Sequence, residues 1–181
     1  LDAAQVRESA LESLAENLND SVIAPLCWFT LLGLPGAAFF RYADTADSMW
    51  GYRGTYRGQR WEWAGKWTAR ADDVLAWLPA RLSGLALCLL GGLQGATRLR
   101  TEARQTPSPN SGWPMAAMAL ALGVRLRKPG AYTLNASGAA PTPAHVVQAI
   151  RLGGHAIWLI VALSGLFFIA QAWLQTTGAA A

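Results

Sequence analysis

The stretch that decides the fold class is AIWLIVALSGLFFIAQAWL, residues 156–174. Its 19 residues carry no charge. At about 1.5 Å of rise per residue they would form a helix of about 28 Å, close to the roughly 30 Å hydrocarbon core of a bilayer. Trp158 and Trp173 lie near its two ends, and tryptophan favours membrane interfaces. The stretch therefore predicts a membrane-spanning helix.

The composition of the whole chain points the same way. Apolar residues make up 52% of it and charged residues only 14%, whereas soluble proteins have about half apolar and a quarter charged residues. The 15 basic and 11 acidic residues are spread over several loops with no dense basic block. This pattern argues against a nucleic-acid partner.

Three further apolar segments precede this helix. Residues 22–40 are uncharged but contain Pro25, Gly33, Pro35 and Gly36, which predicts a broken or re-entrant element. Residues 82–97 are short for a span, and residues 115–124 form a small-residue helix suited to close packing. The predicted fold is an all-α, polytopic integral membrane protein with broken or re-entrant segments and cytoplasmic polar loops.

The direction of the chain through the membrane stays open at this point. Residues 41–81 are polar and rich in aromatic side chains, which favours a segment at the membrane interface. Arg98, Arg100 and Arg104 indicate a cytoplasmic loop by the positive-inside rule. If both regions are cytoplasmic, residues 82–97 must dip into the membrane and return. Otherwise one region faces the other side.

The first helix is predicted over residues 2–18, where Asp2 and Gln5 form a capping-box pattern. Four acidic residues follow one another at every fourth position and share a face: Glu8, Glu12, Glu16 and Asp20. Like charges at this spacing repel each other, so the stripe requires water or a cation. The more common arrangement, a solvated face, is the prediction.

Two pairs of carboxylates lie next to apolar segments, where charge is costly unless it serves a site. Asp44 and Asp47 share one helix face, and Asp72 and Asp73 lie in a helix-like run, residues 66–78, that Pro79 is expected to end. Such carboxylates suit Mg²⁺, and neighbouring arginines suit phosphate. The alternative is that they form ordinary surface ion pairs, such as Arg70 with Asp73 and Arg57 with Glu62.

Four strings occur in an order that resembles a known family: ESLAENLND (12–20), TADSMWGYR (45–53), ARADDVLAWLPARL (69–82) and SPNSGWP (108–114). They are similar to the cobalamin biosynthesis CobD/CbiB family, adenosylcobinamide-phosphate synthase. The resemblance covers residues 2 to about 132. Family members carry more hydrophobic chain upstream, so residues 1–181 are expected to form a single membrane-embedded domain, the C-terminal portion of a longer chain.

The resemblance implies ATP-dependent amide formation between adenosylcobyric acid and aminopropanol or its phosphate. ATP with Mg²⁺ and a corrinoid are then the substrates, on a multi-pass protein of the inner (plasma) membrane with a cytoplasmic active site; a homo-oligomer is left open. Catalytic carboxylates are expected at Glu12, Glu16, Asp20, Asp47, Asp72 and Asp73, with Asp72 and Asp73 holding the metal. Substrate binding is expected at Asn17, Tyr52, Arg53, Arg57, Arg70, Arg81, Ser108 and Asn110.

The chain departs from the family pattern at several positions. Ser21 replaces Gly, Asp44 and Ala76 replace Asn, Met115 replaces Glu, and Arg127-Lys128 replaces a Gly pair. These departures keep a second hypothesis open. It is a non-catalytic membrane binding or signalling protein, like the ampicillin-resistance signalling protein AmpE of the broader family, in which the acidic and basic residues only pair with each other.

Overall fold

The computed structural model describes residues 2–51, 54–60, 62–93 and 95–178. Nearly all of its regular structure is helical, which confirms the predicted all-α class. The elements in chain order are α1 (Ala3–Leu18), a π-helical segment (Asn19–Ile23), α2 (Ala24–Trp50), β1 (Thr55–Tyr56), β2 (Gln59–Arg60), α3 (Glu62–Leu90), α4 (Ala96–Ala103), α5 (Gly112–Leu122), β3 (Leu126–Lys128), β4 (Tyr132–Leu134) and α6 (Pro143–Gly178). The strands pair as two antiparallel hairpins, β1–β2 and β3–β4.

The N-terminal helices begin and break where the sequence predicts. The Asp2 carboxylate accepts a hydrogen bond from the Gln5 backbone N–H at 2.8 Å, and Gln5 Oε1 accepts one from the Asp2 N–H at 2.9 Å, so the capping box is confirmed. Gly33 breaks α2, because its φ of 67° and ψ of −159° lie outside the helical region, and Pro35 follows within the helix. Beyond this break α2 continues to Trp50.

Helix α3 shows that the expected end at Pro79 is wrong. Pro79 lies inside a helix that runs from Glu62 to Leu90. Proline has no N–H, so the carbonyl of Leu75, four residues earlier, loses its helical partner. The indole of Trp28 on α2 donates a hydrogen bond to this carbonyl at 3.0 Å. A contact from a neighbouring helix therefore satisfies the polar group that proline leaves free.

Three helical stretches are long and apolar enough to cross a membrane: Ala3–Trp50, Gly65–Leu90 and Pro143–Thr177. The predicted helix at residues 156–174 is confirmed and extends in both directions within α6. Its Trp158 and Trp173 are exposed. Because α3 continues as one helix to Leu90, the chain does not turn back between residues 82 and 90.

Small residues let the shortest apolar helix pack at the centre of the molecule. Helix α5 is buried from Pro114 to Ala119 and packs against α1, α3 and α4. Gly91, the residue after α3, lies so close to Ala121 that a methyl group there would overlap the Cβ atom of Ala121. The close approach that the small-residue composition predicts is thus present. The surrounding core includes Leu11, Leu87 and Leu99.

Replacing Gly112 with alanine is expected to destabilise the protein by about 1 to 3 kcal/mol, the usual cost of overpacking. The new Cβ atom would overlap the carbonyl oxygen of Ala103 and lie 2.5 Å from Thr106 Oγ1. Thermal unfolding in detergent measures the change. Gly154→Ala is the matched control, because a Cβ atom at this helical glycine meets nothing within 4 Å. Equal stability of the two variants would contradict the packing described here.

Candidate functional site

Five aspartates from three helical elements interact with one another, and we call them the aspartate cluster. Asp72 interacts electrostatically with each of the other four. Asp20 lies in the π-helical segment, Asp44 and Asp47 lie in the C-terminal half of α2, and Asp72 and Asp73 lie in α3. Packing of α2 against α3 brings them together, although they are spread over more than 50 positions in the sequence.

The aspartate cluster has little compensating positive charge among the described residues. Arg41 pairs with Asp44 at 2.9 Å and also donates a hydrogen bond to the carbonyl of Asp20 at 3.2 Å. Asn19 donates to the Asp20 carboxylate at 2.7 Å, which adds a dipole and no charge. Asp72 is partly buried and forms no ion pair with the described residues. Repulsion among these carboxylates is therefore only partly balanced within the described residues.

Asn110 connects the aspartate cluster to Arg81. Its amide nitrogen donates to the carbonyl oxygen of Asp73 at 2.8 Å and lies 3.5 Å from Oδ1 of the same residue. Its amide oxygen accepts a hydrogen bond from Arg81 at 2.9 Å. The side chain is only 4% exposed, so both ends of the amide are used inside the protein. Asn110 therefore lies against Asp73.

Arg81 lines a cavity of about 630 Å³, which we call the arginine cavity. Its guanidinium stacks between Trp77 and Trp113, at 4.3 and 4.9 Å from the ring centroids. It also donates to the Trp77 carbonyl at 2.7 Å. Hydrogen bonds and stacking thus fix its orientation, without a carboxylate partner among the described residues.

Ser108 shapes the loop that lines this cavity. Its hydroxyl oxygen accepts hydrogen bonds from the backbone N–H groups of Asn110 and Ser111, both at 3.2 Å. Thr106 in turn donates to the Ser108 carbonyl at 3.0 Å. The predicted binding residue Ser108 borders the cavity and orders the turn that presents Asn110.

The glutamates of α1 face the β3–β4 hairpin, and the prediction that they form a solvated face is wrong. Glu8 and Glu12 are 1% and 8% exposed. Glu8 lies 4.0 Å from Arg125 and 3.9 Å from Arg127, so the hairpin supplies the compensating charge. Periodicity alone cannot distinguish water from such a partner.

Glu12 lies beside Tyr132 of the hairpin. Burial, together with the Glu12 charge, raises the pKa of the Tyr132 phenol, which therefore stays protonated at neutral pH. Glu16 lies between the two acidic groups, because it interacts electrostatically with both Glu12 and Asp20. The structure thus divides the predicted catalytic carboxylates: Asp20, Asp47, Asp72 and Asp73 belong to the aspartate cluster, and Glu12 belongs to the hairpin contact.

Other predicted binding residues lie in exposed positions or outside the described residues. Asn17 is exposed and donates to the Ser13 carbonyl of its own helix at 2.8 Å. Arg57 is exposed in the turn between β1 and β2. Arg70 is exposed and borders a second cavity, of about 500 Å³. Tyr52 and Arg53 lie outside the described residues.

The expected catalytic and binding residues include neither Asp44 nor Asn19. Asp44 was identified only by its spacing from Asp47, and the structure makes it a full member of the aspartate cluster. Asn19, buried at 2% exposure, orients Asp20 and accepts a hydrogen bond from Ser83 at 2.7 Å. No local pattern marks Asn19, because its partner Ser83 is 64 positions away.

The departures from the family pattern occupy different environments. Ala76 packs in a small core with Ala24 and Phe40, and Met115 is buried in the main core. Ser21 is exposed within the π-helical segment. Asp44 is the departure that changes the aspartate cluster, because it adds a carboxylate beside Asp72.

The aspartate cluster does not form a complete set of metal ligands among the described residues. Among the residues that the structure describes, no three His, Cys, Asp or Glu side chains are placed to hold a metal ion together. Mg²⁺ in nucleotide sites needs only one or two protein carboxylates, since phosphate oxygens and water complete its shell. Asp72 and Asp73 are suitable donors for such an ion.

Comparison with known proteins gives consistent matches. The family model described as CobD/Cbib protein matches residues 1–153. The probable cobalamin biosynthesis protein CobD of Thermococcus kodakarensis is 44% identical over 161 residues, which cover 89% of this chain and 50% of the relative. The cobalamin biosynthesis protein CobD of Chromobacterium violaceum is 44% identical over 172 residues, covering 91% of this chain and 54% of the relative.

A third relative is the probable cobalamin biosynthesis protein CobD of Pyrococcus abyssi, 48% identical over 132 residues, which cover 73% of this chain and 43% of the relative. The chain thus spans about half the length of the curated relatives it matches. No solved structure matches it. Because the family model covers most of its length, the chain belongs to the CobD/Cbib protein family.

Proposed function

We propose that the chain acts in cobalamin biosynthesis as part of an enzyme that attaches aminopropanol, or its phosphate, to the propionate carboxylate of adenosylcobyric acid. The family match and the names of the relatives support the pathway. The observation that carries the site is the aspartate cluster joined through Asn110 to Arg81. It places an acidic group of side chains next to a fixed guanidinium.

The reaction requires both types of charge. A free carboxylate is a poor electrophile, so its oxygen first attacks the γ-phosphorus of ATP, the bond to the β-phosphate oxygen breaks, and ADP leaves. The amine nitrogen then attacks the activated carbonyl carbon, the bond to the phosphoryl oxygen breaks, and inorganic phosphate leaves. The nitrogen gives up its proton to a base. Charge on the transferred phosphoryl group must be neutralised throughout.

The side chains divide these tasks. Asp72 and Asp73, with Asp20 and Asp47 nearby, would hold the Mg²⁺ that arrives with ATP. Arg81 would stabilise phosphoryl charge with donors that are already oriented by stacking and by Asn110. A carboxylate of the aspartate cluster would accept the proton of the amine. The buried Asn110 would hold Asp73 and Arg81 in a fixed relative position.

A reconstitution experiment tests this function. The purified protein in proteoliposomes is incubated with adenosylcobyric acid, Mg-ATP and either aminopropanol or its phosphate, and the corrinoid product is identified by mass spectrometry. We expect an amide with one of the two amines, formed only when ATP is present. Absence of product with both amines would contradict the enzyme and favour the non-catalytic membrane protein.

A further inference from the structure

The arginine cavity contains two arginines that the proposed function has not used. Arg100 lies on α4 and Arg104 caps its C-terminus four residues later, and both border the cavity together with Arg81 of α3. Like charges at this helical spacing repel each other in the absence of an anion. Three arginines nevertheless border one space of about 630 Å³.

These three arginines have no acidic partner among the described residues. The five ion pairs within this part of the chain involve other cations. Glu102, the carboxylate between Arg100 and Arg104 in sequence, is only 6% exposed and pairs with Arg98 at 2.7 Å. It also accepts hydrogen bonds from Gln105 at 3.1 Å and from the Asn135 backbone at 2.8 Å. Glu102 is therefore fully engaged elsewhere.

Arg81 is prepared for a ligand in a way that ordinary surface arginines are not. Stacking between Trp77 and Trp113 and the bond to Asn110 fix its plane before anything binds. Arg81 donates from Nη1 to Asn110 and to the Trp77 carbonyl, and from Nη2 to the Pro109 carbonyl at 3.4 Å. Three of its five N–H donors are thus used, and the Nε hydrogen and one Nη2 hydrogen stay available. A fixed guanidinium fork matches the oxygens of a phosphoryl group in a bidentate manner.

We propose that the arginine cavity is a binding site for the phosphoryl group of a small-molecule ligand, held by Arg81, Arg100 and Arg104. A dianionic phosphoryl group balances three cations better than one carboxylate does. The cavity has the size of a small-molecule site. Within the proposed function, on which this assignment to a substrate rests, the group belongs either to ATP or to aminopropanol phosphate.

Binding measurements that need no turnover test the proposal. The detergent-purified protein is titrated with ATP, and separately with aminopropanol phosphate, by calorimetry in excess EDTA, so that a metal at the aspartate cluster makes no contribution. Arg100→Gln and Arg104→Gln are each expected to raise the dissociation constant of one of the two ligands by about tenfold or more, the scale of a lost charge-assisted hydrogen bond. The ligand affected identifies the source of the phosphoryl group.

Arg151→Gln is the matched control, because Arg151 is an exposed arginine on α6, outside the cavity. Its dissociation constants should stay within about twofold of the parent values. Thermal unfolding checks that the cavity variants are folded, which is expected because Arg100 and Arg104 are exposed. Unchanged binding in both cavity variants, or no binding of either ligand to the parent protein, would overturn the proposal.

A parallel turnover assay separates this proposal from the proposed function. If the amide forms and the binding of ATP and aminopropanol phosphate does not depend on Arg100 or Arg104, the assignment of the cavity is overturned and the proposed function is not. Arginine-dependent binding without any amide formation would support the phosphoryl site and contradict the enzyme.

Discussion

Asp72→Asn is expected to lower the rate of amide formation by about 10² to 10³, the usual effect of losing one preorganised electrostatic group. The change keeps the size and much of the hydrogen bonding of the side chain and removes its charge. Asp72 interacts with the other four members of the aspartate cluster, so in the absence of a cation its negative charge is repelled by four carboxylates. Product formation in proteoliposomes measures the rate.

The same substitution should leave the protein at least as stable as the parent. Removing one of several mutually repelling charges relieves the folded state, whereas a purely structural ion pair would be lost at a cost. Thermal unfolding therefore separates the two roles. Asp2→Asn makes the same chemical change at an exposed helix cap where asparagine serves equally well, and it should affect neither quantity. A fully active Asp72→Asn enzyme would show that the aspartate cluster has no part in the reaction.

Gly165→Arg in α6 is expected to shift the insertion of this helix toward the non-inserted state by about 3 kcal/mol, or roughly 150-fold. Gly165 is exposed, and a Cβ atom added there meets nothing within 4 Å. A steric clash inside the protein therefore cannot explain the loss, and only the apolar surroundings of the helix can. A glycosylation-mapping assay of membrane insertion measures the equilibrium.

The control for this prediction is Gly165→Leu, which adds bulk without charge at the same open position. It should insert at least as well as the parent, because leucine is favourable within the bilayer. Equal insertion of the arginine and leucine variants would mean that this part of α6 is not surrounded by lipid.

The fold was predictable where a local pattern decides it. The long uncharged run of α6, the capping box at Asp2 and the break at Gly33 all depend on residues within a few positions of one another. The continuation of α3 through Pro79 was not predictable, because it depends on a hydrogen bond from Trp28 to the carbonyl of Leu75, 47 positions away. Proline rules describe the isolated helix, and here tertiary structure overrides them.

The site was predictable as a set of residue types and less so as an arrangement. Resemblance to the family identified Asp72, Asp73, Arg81 and Asn110, and the structure brings Asn110 into contact with both Asp73 and Arg81. The burial of Glu8 against the hairpin was not accessible, since an acidic stripe has the same spacing whether it faces water or arginine. In the sequence Arg100 and Arg104 are only charges of a predicted loop, whereas in the structure both border the arginine cavity.

The π-helical segment between α1 and α2 carries one residue more than an ordinary α-helical turn. Its wider turn takes up the extra residue, so deleting Ser21 would leave a continuous α-helix with nearly the same rotation of α2 relative to α1. The effect of the wider turn is therefore local. Asn19 and Asp20 lie within it, and such segments often occur at functional sites. A one-residue deletion here would change the positions of Asn19 and Asp20 while the two flanking helices keep theirs.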